Sequence, residues 1–162
     1  MFPHRLPRLR PPAHPGALGL LAGLALGLAG CLDLRDYAGS WEGAISSDPA
    51  LAHGFDPATM VAADVGSADR DHVAFSLAIA GGPAAPFVPI RRATGDALGE
   101  VQLPGEPLRT FFGFVQPTGQ EPFLAVLSLF PENRLELRLI RGADDAYGVF
   151  SLHRLPGSRG AR

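Results

Sequence analysis

Residues 26–43, "LGLAGCLDLRDYAGSWEG", place the one cysteine of the chain, Cys31, between an apolar run that stops abruptly and a cluster of tyrosine, glycine and tryptophan. Upstream, residues 17–29 are uncharged and rich in leucine, alanine and glycine. Downstream, Asp33, Arg35 and Asp36 end the run, and the short apolar blocks that follow have a different rhythm. The stretch therefore divides a leader from a folded domain, and each side can be read by itself.

On the leader side, Arg5, Arg8 and Arg10 precede the apolar run with no acid among them. A basic segment followed by a short apolar one is the pattern of an export signal. The run is shorter than the ~20 apolar residues a helix needs to cross ~30 Å of hydrocarbon, so a permanent transmembrane helix is the weaker reading. Leu28-Ala29-Gly30-Cys31 resembles the lipobox of bacterial lipoproteins. The resemblance implies that Leu28, Ala29 and Gly30 are recognised by a signal peptidase. It implies that Cys31 takes a thioether-linked diacylglycerol and becomes the new N-terminus, with an acyl chain such as palmitate on its amino group. Two chains anchor stably where one holds marginally. The implied address is the cell envelope, lipid-anchored and facing the periplasm. Leu32 follows the cysteine and Asp33 stands one place later, so outer-membrane sorting is the default expectation.

The residues from Cys31 onward suffice for one domain. They hold eleven arginines, no lysine and sixteen acids, a formal charge near −5. No basic face is left for nucleic acid, and the pair Arg91-Arg92 reads as a solvated edge. With Cys31 committed to lipid, no disulfide is available, and burial alone must hold the domain.

Alternation supplies that burial. Val73, Phe75, Leu77 and Ile79 alternate with small residues, and Leu135, Leu137 and Leu139 alternate with Arg134, Glu136 and Arg138. A period of two puts each set on one face of a strand. Residues 111–116, 123–130 and 147–155 read as further strands, as do 41–47, 87–93 and 97–103. Residues 59–65 are a strand or, because "DPATMVAAD" offers an aspartate cap and a proline at the first helical position, a helical turn. Alternation assigns Phe75, Leu77, Ile79, Phe112, Phe114, Leu127, Leu137 and Val149 to the interior. Eight or nine short strands joined by turn-forming segments favour an all-β antiparallel meander, closed as a barrel or, alternatively, packed as a β-sandwich. The domain is expected over residues 39–155, with a tether at 31–38 and a disordered tail at 156–162.

"DLRDYAGSWEG" also resembles the N-terminal motif of lipocalins, with Tyr37, Gly39 and Trp41 at the matching positions. The resemblance implies an eight-stranded up-and-down barrel whose closed end is plugged by Trp41, with Arg154 of the last strand covering the ring. Glu42 stands where many members carry a second aromatic residue, and the family's threonine-aspartate-tyrosine motif is not recognisable.

Nothing in the chain reads as catalytic. Gly39-Ser40-Trp41-Glu42-Gly43 places its serine one position early for a nucleophile elbow, and no phosphate-cradling glycine loop occurs. His53 with Asp56, and Asp69-Arg70-Asp71-His72, are the polar clusters with metal-ligating types, and the second reads as a solvated hairpin turn. His153 alternates toward solvent. No enzyme activity, metal or cofactor is expected. Two functions remain: carriage of a small apolar ligand inside the barrel, as the lipocalin resemblance implies, or an envelope accessory role in which the outer surface binds another protein.

Overall fold

A computed structural model describes residues 33–68, 71–80, 85–93, 106–142 and 145–158. The leader and the strand expected over 97–103 lie outside these residues. The barrel belongs to one unit, Leu32–Arg162.

Among the described residues, nine strands follow a 3-10 turn at Leu34–Tyr37. They are β1 (Gly39–Ala44), β2 (Ala52–His53), β3 (Met60–Ala68), β4 (His72–Ile79), β5 (Ala85–Arg92), β6 (Arg109–Val115), β7 (Phe123–Phe130), β8 (Arg134–Arg141) and β9 (Ala146–Arg154). Each long strand pairs antiparallel with the next, and β1 pairs with both β3 and β9. Eight strands thus close into a barrel. The short β2 adds to the start of β9, where Ala52 faces Gly148. Closure through β1 and β9 excludes the β-sandwich alternative and is consistent with a lipocalin-like barrel.

Residues 59–65 are strand, not helix. Asp56 caps a turn instead, its side chain accepting from the Ala58 N–H at 2.7 Å. Val61, Ala63 and Val65 then alternate inward against Ile79, Leu77 and Phe75.

The "FFGF" run of β6 corrects the alternation. Phe111 and Val115 are buried inside, whereas Phe114 is 70% exposed and Phe112 lies on the same outer face. Phenylalanine on both faces leaves a period of two without a phase, and the packing against β7 sets it. Val149 is corrected likewise. It is buried but pairs with Arg138, which alternates with the inward Leu137 and Leu139, so both belong to the outer face. The other assigned residues, Phe75, Leu77, Ile79, Leu127 and Leu137, pack in or against the core.

Only two residue pairs join β5 to β6 among the described residues, Arg91 with Phe112 and Arg92 with Phe111. Proline has no N–H to donate, and Pro89 stands where the ladder would continue. Packing seals the seam. A Cβ on Gly113 would lie 2.7 Å from Ile90 Cγ2, so the glycine lets β5 close over β6.

The packed region extends past both expected ends. Leu34 and Tyr37, expected in the tether, belong to the core. Ser158, expected in the tail, donates its hydroxyl to the Ser40 carbonyl at 2.9 Å.

Candidate functional site

A barrel offers three places for function: its two ends and its outer wall. The end at which β1 begins and β9 finishes is built on Trp41, which is fully buried. Its indole N–H donates to the Tyr37 carbonyl at 3.0 Å. The Arg154 guanidinium lies 4.6 Å from the indole centroid and donates to the carbonyls of Ala38, at 2.8 Å, and of Asp36. One cation thus stacks on an aromatic face while satisfying two carbonyls of the turn that precedes β1.

Gly39 is required there for two reasons. Its φ of +131° is one that side-chain-bearing residues rarely adopt, and the Ser158 carbonyl occupies the space a Cβ would need. Tyr37 completes the cap by donating its hydroxyl to the Phe130 carbonyl at 2.7 Å. Burial, reinforced by the negative charge of Asp36, pushes the Tyr37 phenol above its ordinary value of 10.0.

The opposite end, the mouth of the barrel, is also filled. Phe55 stacks on Phe123 at 6.0 Å and meets Phe150 edge-on at 5.8 Å. The Arg141 guanidinium lies 4.6 Å over the Phe123 ring. Gly148 gives Phe55 its seat, since a Cβ there would sit 3.1 Å from the Phe55 ring. This plug was not expected from the sequence. Its members come from the segment after β2 and from β7, β8 and β9, and no local period links them.

Between the plugs, Phe75, Leu77, Ile90, Phe111, Leu127, Leu129, Leu137 and Leu139 are all essentially without solvent contact. Among the described residues the interior is a packed core.

The outer wall carries the remaining chemistry. Arg138, 1% exposed, donates to Glu136 Oε1 from Nε at 2.9 Å and from Nη2 at 2.6 Å, and from Nη1 to the Tyr147 hydroxyl at 2.9 Å. His153 meets Glu42 at 3.1 Å on the exposed surface. Phe114 heads a cross-strand row that continues through Leu124, Ile140 and Tyr147. A shallow concavity of about 360 Å³ opens on the wall of β1, β3 and β4, lined by Glu42, Met60, Ala62, Ala78 and Ala80 among others.

The metal-ligating types do not converge. His53 lies 3.8 Å from Asp145, both exposed, rather than beside Asp56. Asp71 and His72 are exposed, and Asp69 and Arg70 lie outside the described residues. No group of three histidine, cysteine, aspartate or glutamate side chains suits a metal among the described residues. Cys31 and its neighbours Leu28, Ala29 and Gly30 likewise lie outside them, and Gly39, Trp41 and Arg154 meet in the end cap. Comparison of the chain with protein-family models, curated proteins and solved structures finds no match.

Proposed function

We propose that the chain is a lipid-anchored protein of the bacterial envelope whose barrel is a rigid, non-enzymatic module that works through its outer surface. Cys31, lipidated and facing the periplasm, holds it to the membrane, and a second envelope protein is its partner. The observation that carries this reading is the filled interior: plugs of Trp41 with Arg154 at one end and Phe55 with Phe123 at the other, and bulky side chains between them. An apolar ligand held inside would need a hollow of a few hundred Å³, and every large side chain named above would have to move to provide it. The row of Phe114, Leu124 and Ile140 offers apolar area on the outside instead.

The test is native mass spectrometry of the protein purified from envelopes, with titration of an environment-sensitive apolar fluorophore. The protein is expected without a stoichiometric non-covalent ligand and without saturable fluorophore binding. A stoichiometric lipid or saturable binding that Phe55→Trp abolishes would restore carriage inside the barrel.

A further inference from the structure

Near the mouth of the barrel the outer wall carries a knob and a hollow. Phe114, 70% exposed, stands out from β6. The concavity of about 360 Å³ lies on the wall of β1, β3 and β4, where Ala62 faces Ala78 across the ladder and Met60 and Glu42 stand beside them. A hollow of ~150 Å³ already holds a benzene ring, so this one has room for a phenylalanine side chain. β4 and β5 lie between β3 and β6 in the sheet, so Phe114 and the concavity point to different sides of the barrel. One copy cannot fill its own hollow.

Each feature has a charge at a matching offset. Arg91 on β5 pairs with Phe112, so it lies one strand aside from Phe114 and two residues nearer the Trp41 end. It is exposed and alternates with the inward Ile90, which puts it on the outer face. Asp64, also exposed, lies two residues nearer the same end from Ala62 and pairs with Ser76. When two such walls meet with parallel axes and Phe114 over Ala62, left and right are reversed between them, and β5 of one copy falls over β4 of the other. Arg91 then stands over Ser76, ~4.8 Å from the strand of Asp64. Opposed axes would set it over Ala44, which carries no charge.

We propose that the partner at the outer wall is a second copy of this chain: Phe114 of one copy enters the concavity at Ala62 and Ala78 of the next, with Arg91 against Asp64, and the barrels stand side by side with parallel axes. The proposal rests on the reading that the barrel works through its outer surface. Knob and hollow are different surfaces, so the contact is heterologous. Each junction leaves one knob and one hollow free, and further copies add in a row. The apolar knob supplies the attraction, and the ion pair fixes which way up the neighbour stands.

The test uses the full chain in bacterial envelopes, expressed as two tagged copies with one added cysteine each. Arg91→Cys in one copy and Ser76→Cys in the other come together in the proposed contact, and a bifunctional maleimide of ~10 Å span bridges facing walls at the usual spacing of packed sheets. Ser151→Cys, exposed on the outer face of β9, and Ala44→Cys, exposed at the end of β1, are the comparison partners. Cys31 is in every copy, so any product it forms is seen in the wild type and subtracted.

Arg91→Cys is expected to give roughly ten-fold more product joining the two tags with Ser76→Cys than with Ser151→Cys or Ala44→Cys, because a docked neighbour raises the local thiol concentration. Phe114→Ser added to the Arg91→Cys copy should bring the yield down to that background. The same change in the Ser76→Cys copy should leave the yield unaltered, since that copy offers only its hollow. Equal loss from either copy overturns the heterologous contact, and product favouring Ala44→Cys overturns the parallel arrangement. Background yield throughout overturns self-association; where native mass spectrometry of the same protein shows no interior ligand, the outer surface still stands as the working one, with another partner. A stoichiometric interior lipid overturns the outer-surface reading as well.

Discussion

The Arg154 guanidinium lies 4.6 Å from the Trp41 ring centroid and bonds the carbonyls of Ala38 and Asp36, so one side chain ties the last strand of the barrel to the turn before its first. Removing it breaks a cation–π contact worth ~0.5 to 2 kcal/mol and charged hydrogen bonds worth ~1.5 to 3 kcal/mol each when intact. Arg154→Ala is expected to destabilise the domain by about 2 to 4 kcal/mol. Arg154→Lys should recover only part, since an ammonium lacks the planar fork that stacks and bonds together. Trp41 is the one tryptophan of the chain, so denaturant unfolding followed by its emission reads both variants.

Gly39→Ala combines a strained backbone angle with a collision against the Ser158 carbonyl. Gly119→Ala meets nothing within 4 Å and carries only the backbone penalty at φ +75°. The second is expected to cost about 1 kcal/mol, and the first clearly more, with loss of the turn packed under Trp41. Equal losses in thermal unfolding would contradict the required approach of Ser158.

Tyr37 links stability to pH. Its phenol is raised by burial and then by Asp36, so the folded state favours the neutral form. That contribution is fully present below the unfolded value of 10.0 and is lost as the pH rises through the higher folded value. Stability should fall at strongly alkaline pH, and Tyr37→Phe should flatten the fall. The same substitution removes the hydroxyl bond to Phe130 and is expected to cost about 0.5 to 1.5 kcal/mol near neutrality. Unfolding curves across the alkaline range measure both effects.

Phe111 and Phe114 differ by one strand face. Phe111→Ala is expected to cost about 3 to 5 kcal/mol, because it empties a fully buried site. Phe114→Ser should change stability by less than about 0.5 kcal/mol, because the ring is 70% exposed. If the outer wall is the working surface, Phe114→Ser should lower partner association without unfolding the barrel. A large stability loss at Phe114 would mean the phase of β6 is wrong.

Much of the barrel is legible in the sequence wherever one face is apolar and the other is not. The blocks around Val73, Phe75 and Leu77 and around Leu135, Leu137 and Leu139 are strands with the expected inward faces. Where both faces are apolar, as at Phe111, Phe112 and Phe114, local pattern cannot choose, and contacts with β7 decide. Ala52 and His53 are too short a strand to carry any period; their pairing with Gly148 and Tyr147 depends on chain closure. The reach of the end cap was also hidden. Tyr37 and Ser158 join it through backbone carbonyls of Phe130 and Ser40, and a carbonyl has no signature in a sequence. The mouth plug of Phe55, Phe123 and Arg141 is assembled wholly by topology.

The anchor can be read in a single experiment, the intact mass of the protein isolated from envelopes. The expected species begins at Cys31, lacks residues 1–30, and is heavier than that polypeptide by a diacylglyceryl group and an amide-linked acyl chain. A polypeptide still starting at Met1, with Cys31 unmodified, would contradict it.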